Sequence, residues 1–334
     1  MEGRAVRQIV LAFVGFMLIV VVILPAVIVR GCALAGPPGA AGQGRSGLTI
    51  RVFVVEANKT VEMDLEEYVK GVVAAEMPAE FEPAALQAQA LLARTFAVRR
   101  MRILGGTGCA LHPDADICTD PTHDQGWVSE SELRKRWGLF GYYRYWRKIS
   151  AAVEATAGKI VVYAGAPIDP VYHSTCAGHT ENSEDVWSTA EPYLRGVVCD
   201  TDGDSPRLRE ERDFTIAELE RAFGAAAGAL AAMQRNGSKV VEVLSTTPNG
   251  RIKQVRIGDK TVSGADLRAA LNLRSTKLTM TWNGDRLHIV SLGYGHGVGL
   301  CQYGANGMAK RGQTCEEIIK HYYTGVEIAP IFGE

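Results

Sequence analysis

The sequence predicts an α+β fold in which a helical region packs against a mixed sheet. Residues 65–100 carry apolar positions at helical spacing, broken at Met77-Pro78. Residues 239–292 read as short strands punctuated by Pro248-Asn249-Gly250 and Asn283-Gly284 turns, with a short helix over 264–271. Ahead of both lies an uncharged apolar run, Ile9 to Val29. At 1.5 Å per residue its roughly 21 residues cover about 30 Å, enough for a single transmembrane helix.

Arg4 and Arg7 precede that run, which places residues 1–8 in the cytoplasm and the rest of the chain outside. The apolar region of a cleaved signal peptide is shorter, about 7–15 residues. Arg30, two residues before Cys32, does not suit a lipoprotein cleavage site, so the span reads as a retained anchor. Residues 30–47, rich in Gly, Ala and Pro, form a flexible linker. Residues 48–330 form the extracytoplasmic domain, with a loop-rich subdomain at 105–147. The 36 basic and 37 acidic residues nearly cancel, which argues against a nucleic-acid binder.

The first candidate for chemistry is Glu76. Asp64 with Glu67 forms a capping-box pattern that opens a helix. Leu65, Tyr68, Val69, Val72 and Val73 then mark its apolar face. Glu76 follows three and four residues after Val73 and Val72, so its carboxylate falls on that face. Pro78 ends the helix just beyond. The negative end of the helix dipole and poor hydration both favour the neutral acid, which is what a general acid needs. Pro83 opens a second helix whose buried stripe, Leu86, Ala90, Ala93 and Ala97, includes Arg94. Two readings follow: a structural Glu76–Arg94 ion pair that lowers the glutamate pKa, or an arginine that orients a catalytic acid.

Three runs in order, EEYVKGVVAAEMPAEFEPAALQAQALLARTFA, YHSTCAGHTENSEDVW and GYGHGVGLCQYGANGMAKRG, resemble the stage II sporulation protein D family. The resemblance extends from about Ile50 to Gly325. That family comprises membrane-anchored lytic transglycosylases that cut peptidoglycan strands, so the resemblance implies a glycan-binding cleft between helices and sheet. It places Glu76 at the family's catalytic glutamate and Arg94 at its important arginine. It also puts the polar loop of 170–187 along the cleft, with His173, Ser174, Thr180, Glu181 and Asn182 as contacts. The bland reading of that loop is a polar turn that satisfies itself, and for Glu181 the two readings weigh nearly the same. In the third run, glycines at 293, 295, 297 and 299 allow close backbone approach. By resemblance His296, Gln302 and Tyr303 position substrate.

Cys109, His112, Cys118, His123 and Asp124 crowd into one loop-rich stretch and suit a tetrahedral zinc ion. Some members of the family bind zinc here through a histidine and two cysteines. This chain keeps His112 and Cys118 but has Asp124 where the second cysteine would stand, leaving Asp124, His123 or Cys109 to complete the set. A Cys109–Cys118 disulfide is the competing reading. No cofactor is required for catalysis, and a bound zinc would be structural. Seven cysteines in an oxidising exterior allow up to three disulfides, and Cys176–Cys199 and Cys301–Cys315 are the pairs favoured by position. The family often has serine at positions 176 and 301.

Trp137, Trp146, Tyr142, Tyr143 and Tyr145 belong to a helix over 128–147, with Trp127 just ahead of it, as packing residues or, where exposed, as platforms for sugar rings. A second helix over 149–156 follows. Thr215 with Glu218 opens a helix to about Met233, and Thr314 with Glu317 opens a last helix to Tyr323.

A conventional glycosidase needs two carboxyl groups flanking the scissile bond. One compelling inward carboxylate fits a lytic transglycosylase, which uses the same group as acid and then base. The alternatives are a hydrolytic muramidase with Glu181 or Asp185 as second carboxylate, and a non-catalytic glycan-binding scaffold. By resemblance the substrate is strands lacking stem peptides, and the partners are an amidase and a membrane protein of the engulfment machinery.

Overall fold

The computed structural model describes residues 47–332. The 9–29 run and nearly all of the linker lie outside the described residues. Within them, no helix is long and apolar enough to cross a membrane.

The described chain opens with a hairpin, β1 (Thr49–Val54) and β2 (Lys59–Asp64), which runs into α1 (Leu65–Glu76). The Asp64 carboxylate caps α1 by accepting from the Glu66 and Glu67 N–H groups at 2.9 and 3.3 Å. The expected reciprocal bond is replaced: the Glu67 carboxylate takes Lys70 instead, at 2.8 Å. Met77 is extended, as a residue before proline prefers, and this ends α1 at Glu76. α2 (Pro83–Arg100) starts on its proline, as the sequence predicts. β3 (Ile117–Cys118) pairs parallel with β1. α3 (Glu130–Ala155) joins what read as two helices, and its break falls at Gly138, where φ is +63°. The apolar faces of these three helices meet in the main core. Leu65, Val69, Val72, Leu86, Leu92, Ile149 and Val153 are all within 1% of fully buried. Each large apolar side chain buried there contributes about 1.5–3 kcal/mol, before the entropy of ordering is subtracted.

β4 (Lys159–Tyr163), β5 (Ala166–Pro167), β6 (Tyr172–His173), β7 (Gly178–His179), the single turn α4 (Ser183–Val186) and β8 (Val198–Cys199) follow. A second core belongs to β9 (Arg209–Thr215), α5 (Ile216–Phe223), α6 (Ala229–Arg235), β10 (Val241–Thr246), β11 (Ile252–Ile257), β12 (Lys260–Ser263), α7 (Gly264–Ala270), β13 (Leu278–Asn283) and β14 (Arg286–Leu292). The helix expected from Thr215 to Met233 divides because Gly224 takes a left-handed C-cap at φ +61°, after a complete capping box at Thr215 and Glu218. The chain then returns to the main core through β15 (Leu300–Cys301), α8 (Gln302–Lys310), α9 (Cys315–Tyr322) and β16 (Glu327–Pro330).

The α+β class holds, but the strands form six small sheets in place of one mixed sheet. Most strands are too short to build a wide sheet, and the two cores hold separate sets of them. The pairing that matters for the site is β15 with β6, parallel, with Leu300 opposite Tyr172 and Cys301 opposite His173. It lays the second and third sequence motifs side by side, although more than a hundred residues separate them.

Candidate active site

A groove of about 490 Å³ runs across the end of α1. Glu76, Met77, Pro78 and Glu80 form one wall; Tyr172, His173, Ser174, Gln302 and Tyr303 form another; Arg136, Trp137, Arg207, Tyr294 and Gly295 complete it. The β6–β15 pair thus delivers residues from both later motifs to the residue that ends α1.

Glu76 sits half-buried in this wall. Its Oε1 accepts the Gly126 backbone N–H at 2.9 Å. Burial drives the Glu76 pKa above the ordinary carboxylate value, outweighing the opposing effects of the Gly126 N–H and the Tyr172 hydroxyl. The Tyr172 oxygen accepts from the Gln125 amide at 3.2 Å, which leaves its own O–H proton for the carboxylate. A Cβ at Gly126 would stand 2.9 Å from Glu76 Oε1, so any larger residue there displaces the carboxylate.

Arg94 does not reach Glu76. Its fully buried guanidinium donates to Glu66 at 2.6, 3.0 and 3.1 Å, and to Thr156 Oγ1, Val153 O and Lys159 O. The ion pair considered for Glu76 exists, but with the glutamate of the first turn of α1 in place of that of the last. Among the described residues Glu76 has no cationic partner, in line with the upward direction of its pKa.

Of the five contacts expected from the polar loop, His173 and Ser174 line the groove, beside Tyr172. Thr180 and Asn182 take the self-satisfied form, whereas Glu181 leaves Oε1 buried without a hydrogen-bond partner. The Thr180 hydroxyl accepts from Val197 N at 2.8 Å, and Asn182 binds Gly196 N and Asp185 at 2.9 Å each. Glu181 is 1% exposed and faces Arg251 at 3.5 Å and Asn249 at 3.3 Å. Asp185 is taken by Asn182 and Lys253. Neither carboxylate offered as a second catalytic group is in the groove; the second one there is Glu80. The Tyr145 hydroxyl holds the Glu80 pKa below the ordinary value, with help from Lys148 and Arg144.

His296 stands behind the groove wall. Its Nδ1 accepts from Val298 N at 3.2 Å, so the proton is on Nε2, which donates to Tyr172 O at 2.9 Å. Burial depresses its pKa to about 4 and keeps it neutral. The half-buried imidazole therefore braces the backbone of β6. His173 donates from Nδ1 to Val298 O at 3.1 Å, and its Nε2 is buried without a partner. Gly295 makes this packing feasible: its φ is +110°, and a Cβ would lie 2.7 Å from that of His173. Gln302 bonds Gln89 at 3.3 Å, and Tyr303 packs edge-on against Phe81 with ring centroids 5.0 Å apart.

Cys109, Cys118, His123 and Asp124 converge, with donor atoms all within 4.8 Å of one another. His123 Nε2 and Asp124 Oδ1 are buried without a hydrogen-bond partner, so this set fits a divalent ion. His112 is not part of it: its ring stacks on Phe53, centroids 3.4 Å apart. Cys109 and Cys118 are free thiols, as are Cys176, Cys199, Cys301 and Cys315, so neither favoured disulfide forms.

The sequence pointed to Glu76, His173, Ser174, Gln302 and Tyr303 but not to Gln125, Gly126, Arg136 or Arg207, and Tyr294 lay in the third motif without being singled out. Tyr172 was visible as the first residue of the second motif. Gln125 and Gly126 carry no local signal, since only packing brings them to Glu76.

A family model described as stage II sporulation protein matches residues 55–163. The chain is 41% identical over 275 residues to stage II sporulation protein D of Bacillus subtilis (strain 168), covering 82% of this chain and 77% of that one. The chain belongs to the stage II sporulation protein D family. A family member from Bacillus amyloliquefaciens is 39% identical over 286 residues, 85% of this chain and 79% of its own. More distantly, an amidase enhancer of Bacillus subtilis (strain 168) is 25% identical over 309 residues, 78% of this chain and 40% of that protein.

Proposed function

We propose that this protein is a membrane-anchored lytic transglycosylase that cuts peptidoglycan strands between N-acetylmuramic acid and N-acetylglucosamine during sporulation. Membership of the family supports a role in sporulation, and similarity to an amidase enhancer supports involvement with cell-wall machinery. The observation that carries the reaction is Glu76, an acid whose pKa burial raises, on the wall of an open groove.

The protonated Glu76 gives its proton to the bridging oxygen as the C1–O bond breaks. The C6 hydroxyl of the muramic residue then closes on C1, and its proton passes back to Glu76. One C–O bond breaks, one forms, no water is consumed, and the product ends in a 1,6-anhydro sugar. His173, Ser174, Gln302 and Tyr303 line the groove and hold the glycan strand on its wall opposite Glu76. Trp137 and Tyr294 offer ring faces to the sugars. Arg94 supports the site from a distance, by fixing Glu66 and the start of the helix that ends in Glu76.

Cys109, Cys118, His123 and Asp124 would hold a structural zinc, which would tie the 105–126 stretch together. The 9–29 run anchors the chain with its catalytic domain outside the membrane. Strands stripped of stem peptides, an amidase and an engulfment membrane protein are the substrate form and partners that the family suggests.

The test is mass spectrometry of digests of purified glycan strands. Anhydro ends, absent with Glu76→Gln, support this reading; a reducing end, one water heavier, points to a muramidase using Glu80. Binding without release of fragments points to a scaffold.

A further inference from the structure

A second constellation lies behind the groove, and the catalytic reading makes no use of it. Cys176, Cys199, Asp202 and Cys301 bring three sulfurs and a carboxylate oxygen within 4.8 Å of one another. All four are buried, at 0%, 2%, 4% and 0% exposure. They come from the loop after β6, the end of β8, the turn beyond it, and the residue before α8. Cys199 and Asp202 have two residues between them, a chelating interval common in zinc sites.

We propose that these four residues form a closed, four-ligand site for a thiolate-preferring divalent ion, zinc by its donor set. In a tetrahedral zinc site with Zn–S bonds of about 2.3 Å, sulfurs lie about 3.8 Å apart, so donors at most 4.8 Å apart close on the ion with shifts of about 1 Å. Asp202 is the stronger argument. Its carboxylate is buried and, among the described residues, has no Lys or Arg at ion-pair distance; Oδ2 accepts the Ala177 N–H at 2.7 Å and the Cys176 and Cys301 thiols at 3.3 and 4.0 Å. A buried anion without a counter-charge is costly, and a cation shared with three thiolates removes that cost. Joining two of the three cysteines in a disulfide instead leaves an odd thiol and the same uncompensated carboxylate.

The surroundings fit thiolate ligands. The Gly304 N–H at the start of α8 donates to Cys301 Sγ at 3.3 Å, and the Tyr322 hydroxyl lies 3.1 Å from Cys199 Sγ. Gly304 leaves room for this, since a Cβ there would stand 2.4 Å from Cys199 Sγ. With four protein ligands and no solvent, the ion is structural. It fastens the loop after Ser174 to the residue before Gln302, and so holds two parts of the groove wall together. Metal binding itself does not depend on the catalytic reading.

The test uses the full-length chain, purified with a phosphine reductant and loaded with zinc or cobalt(II). A Cys118→Ser background silences the other cluster. One zinc per chain should remain, and cobalt should give the visible bands of a tetrahedral site with intense thiolate charge transfer. Both should disappear when Cys199→Ser is added, and Asp202→Asn should weaken zinc on the order of tenfold or more. Should the double variant fail to fold, X-ray absorption on the singly substituted zinc protein decides by counting three sulfurs and one light atom. The proposal is overturned if the Cys118→Ser chain holds no metal, if metal survives Cys199→Ser, or if peptide mapping of the unreduced chain finds a disulfide among Cys176, Cys199 and Cys301.

Discussion

Arg94 binds Glu66 at 2.6 Å, joining the first turn of α1 to the middle of α2 in a pocket closed by the end of α3. Removing one member strands the other as a buried charge. Arg94→Leu should therefore cost about 3–5 kcal/mol of stability, and the Glu66→Leu/Arg94→Leu pair should recover much of it. Denaturant unfolding of the single and double variants measures this. An additive double variant would show that the pair is not coupled.

Glu76 has the opposite character, because its burial is unfavourable to the ionised form. With its folded pKa raised above the unfolded one, the native state binds the extra proton, and stability falls as pH rises through the raised value. Glu76→Gln should melt higher than the parent at neutral pH, with the gap closing as pH falls below about 4.5, the range of an unperturbed glutamate. Cleavage by the parent should decline over the same rise in pH. A melting difference independent of pH would show that burial does not perturb this acid.

Gly126→Ala places a methyl 2.9 Å from Glu76 Oε1. Displacing the carboxylate by a fraction of an ångström to an ångström should cost on the order of 10²-fold in cleavage rate, with little change in melting temperature. Kinetics on defined strands, alongside a melting curve, separates this from unfolding.

His296 should not titrate near neutrality. With a folded pKa near 4, against an ordinary 6.5, it takes no proton until well after an unfolded histidine has done so. Between those values the unfolded chain binds more protons, so His296 contributes a loss of stability as pH falls from about 6.5 towards 4. Nitrogen-15 shifts should report the Nε2–H tautomer down to about pH 5, the range in which a free histidine is mostly charged. Titration near 6.5 would overturn the backbone-brace role.

What the sequence made legible was local. Helical spacing placed Glu76 on an apolar face, proline ended α1 and began α2, and the capping boxes at Thr215 and Thr314 marked true helix starts. Long-range partnership was illegible. Arg94 had two plausible glutamates, and only the position of the 153–159 segment selects Glu66. Polar residues in the second motif looked alike on paper, yet β7 and β8 turn Thr180 and Asn182 inwards and leave Ser174 at the groove. His296 looked accessible between its glycines, but those glycines let the chain fold tightly around the ring and engage both nitrogens.

The parallel pairing of β6 with β15 has one more implication. A chain emerging amino end first carries its acid early, but lacks Gln302, Tyr303 and the strand that braces His173 until almost everything else has been made. A fragment truncated before residue 300 therefore lacks one strand of that pair and one side of the groove, so the wall around Glu76 closes only when the last tenth of the chain is in place.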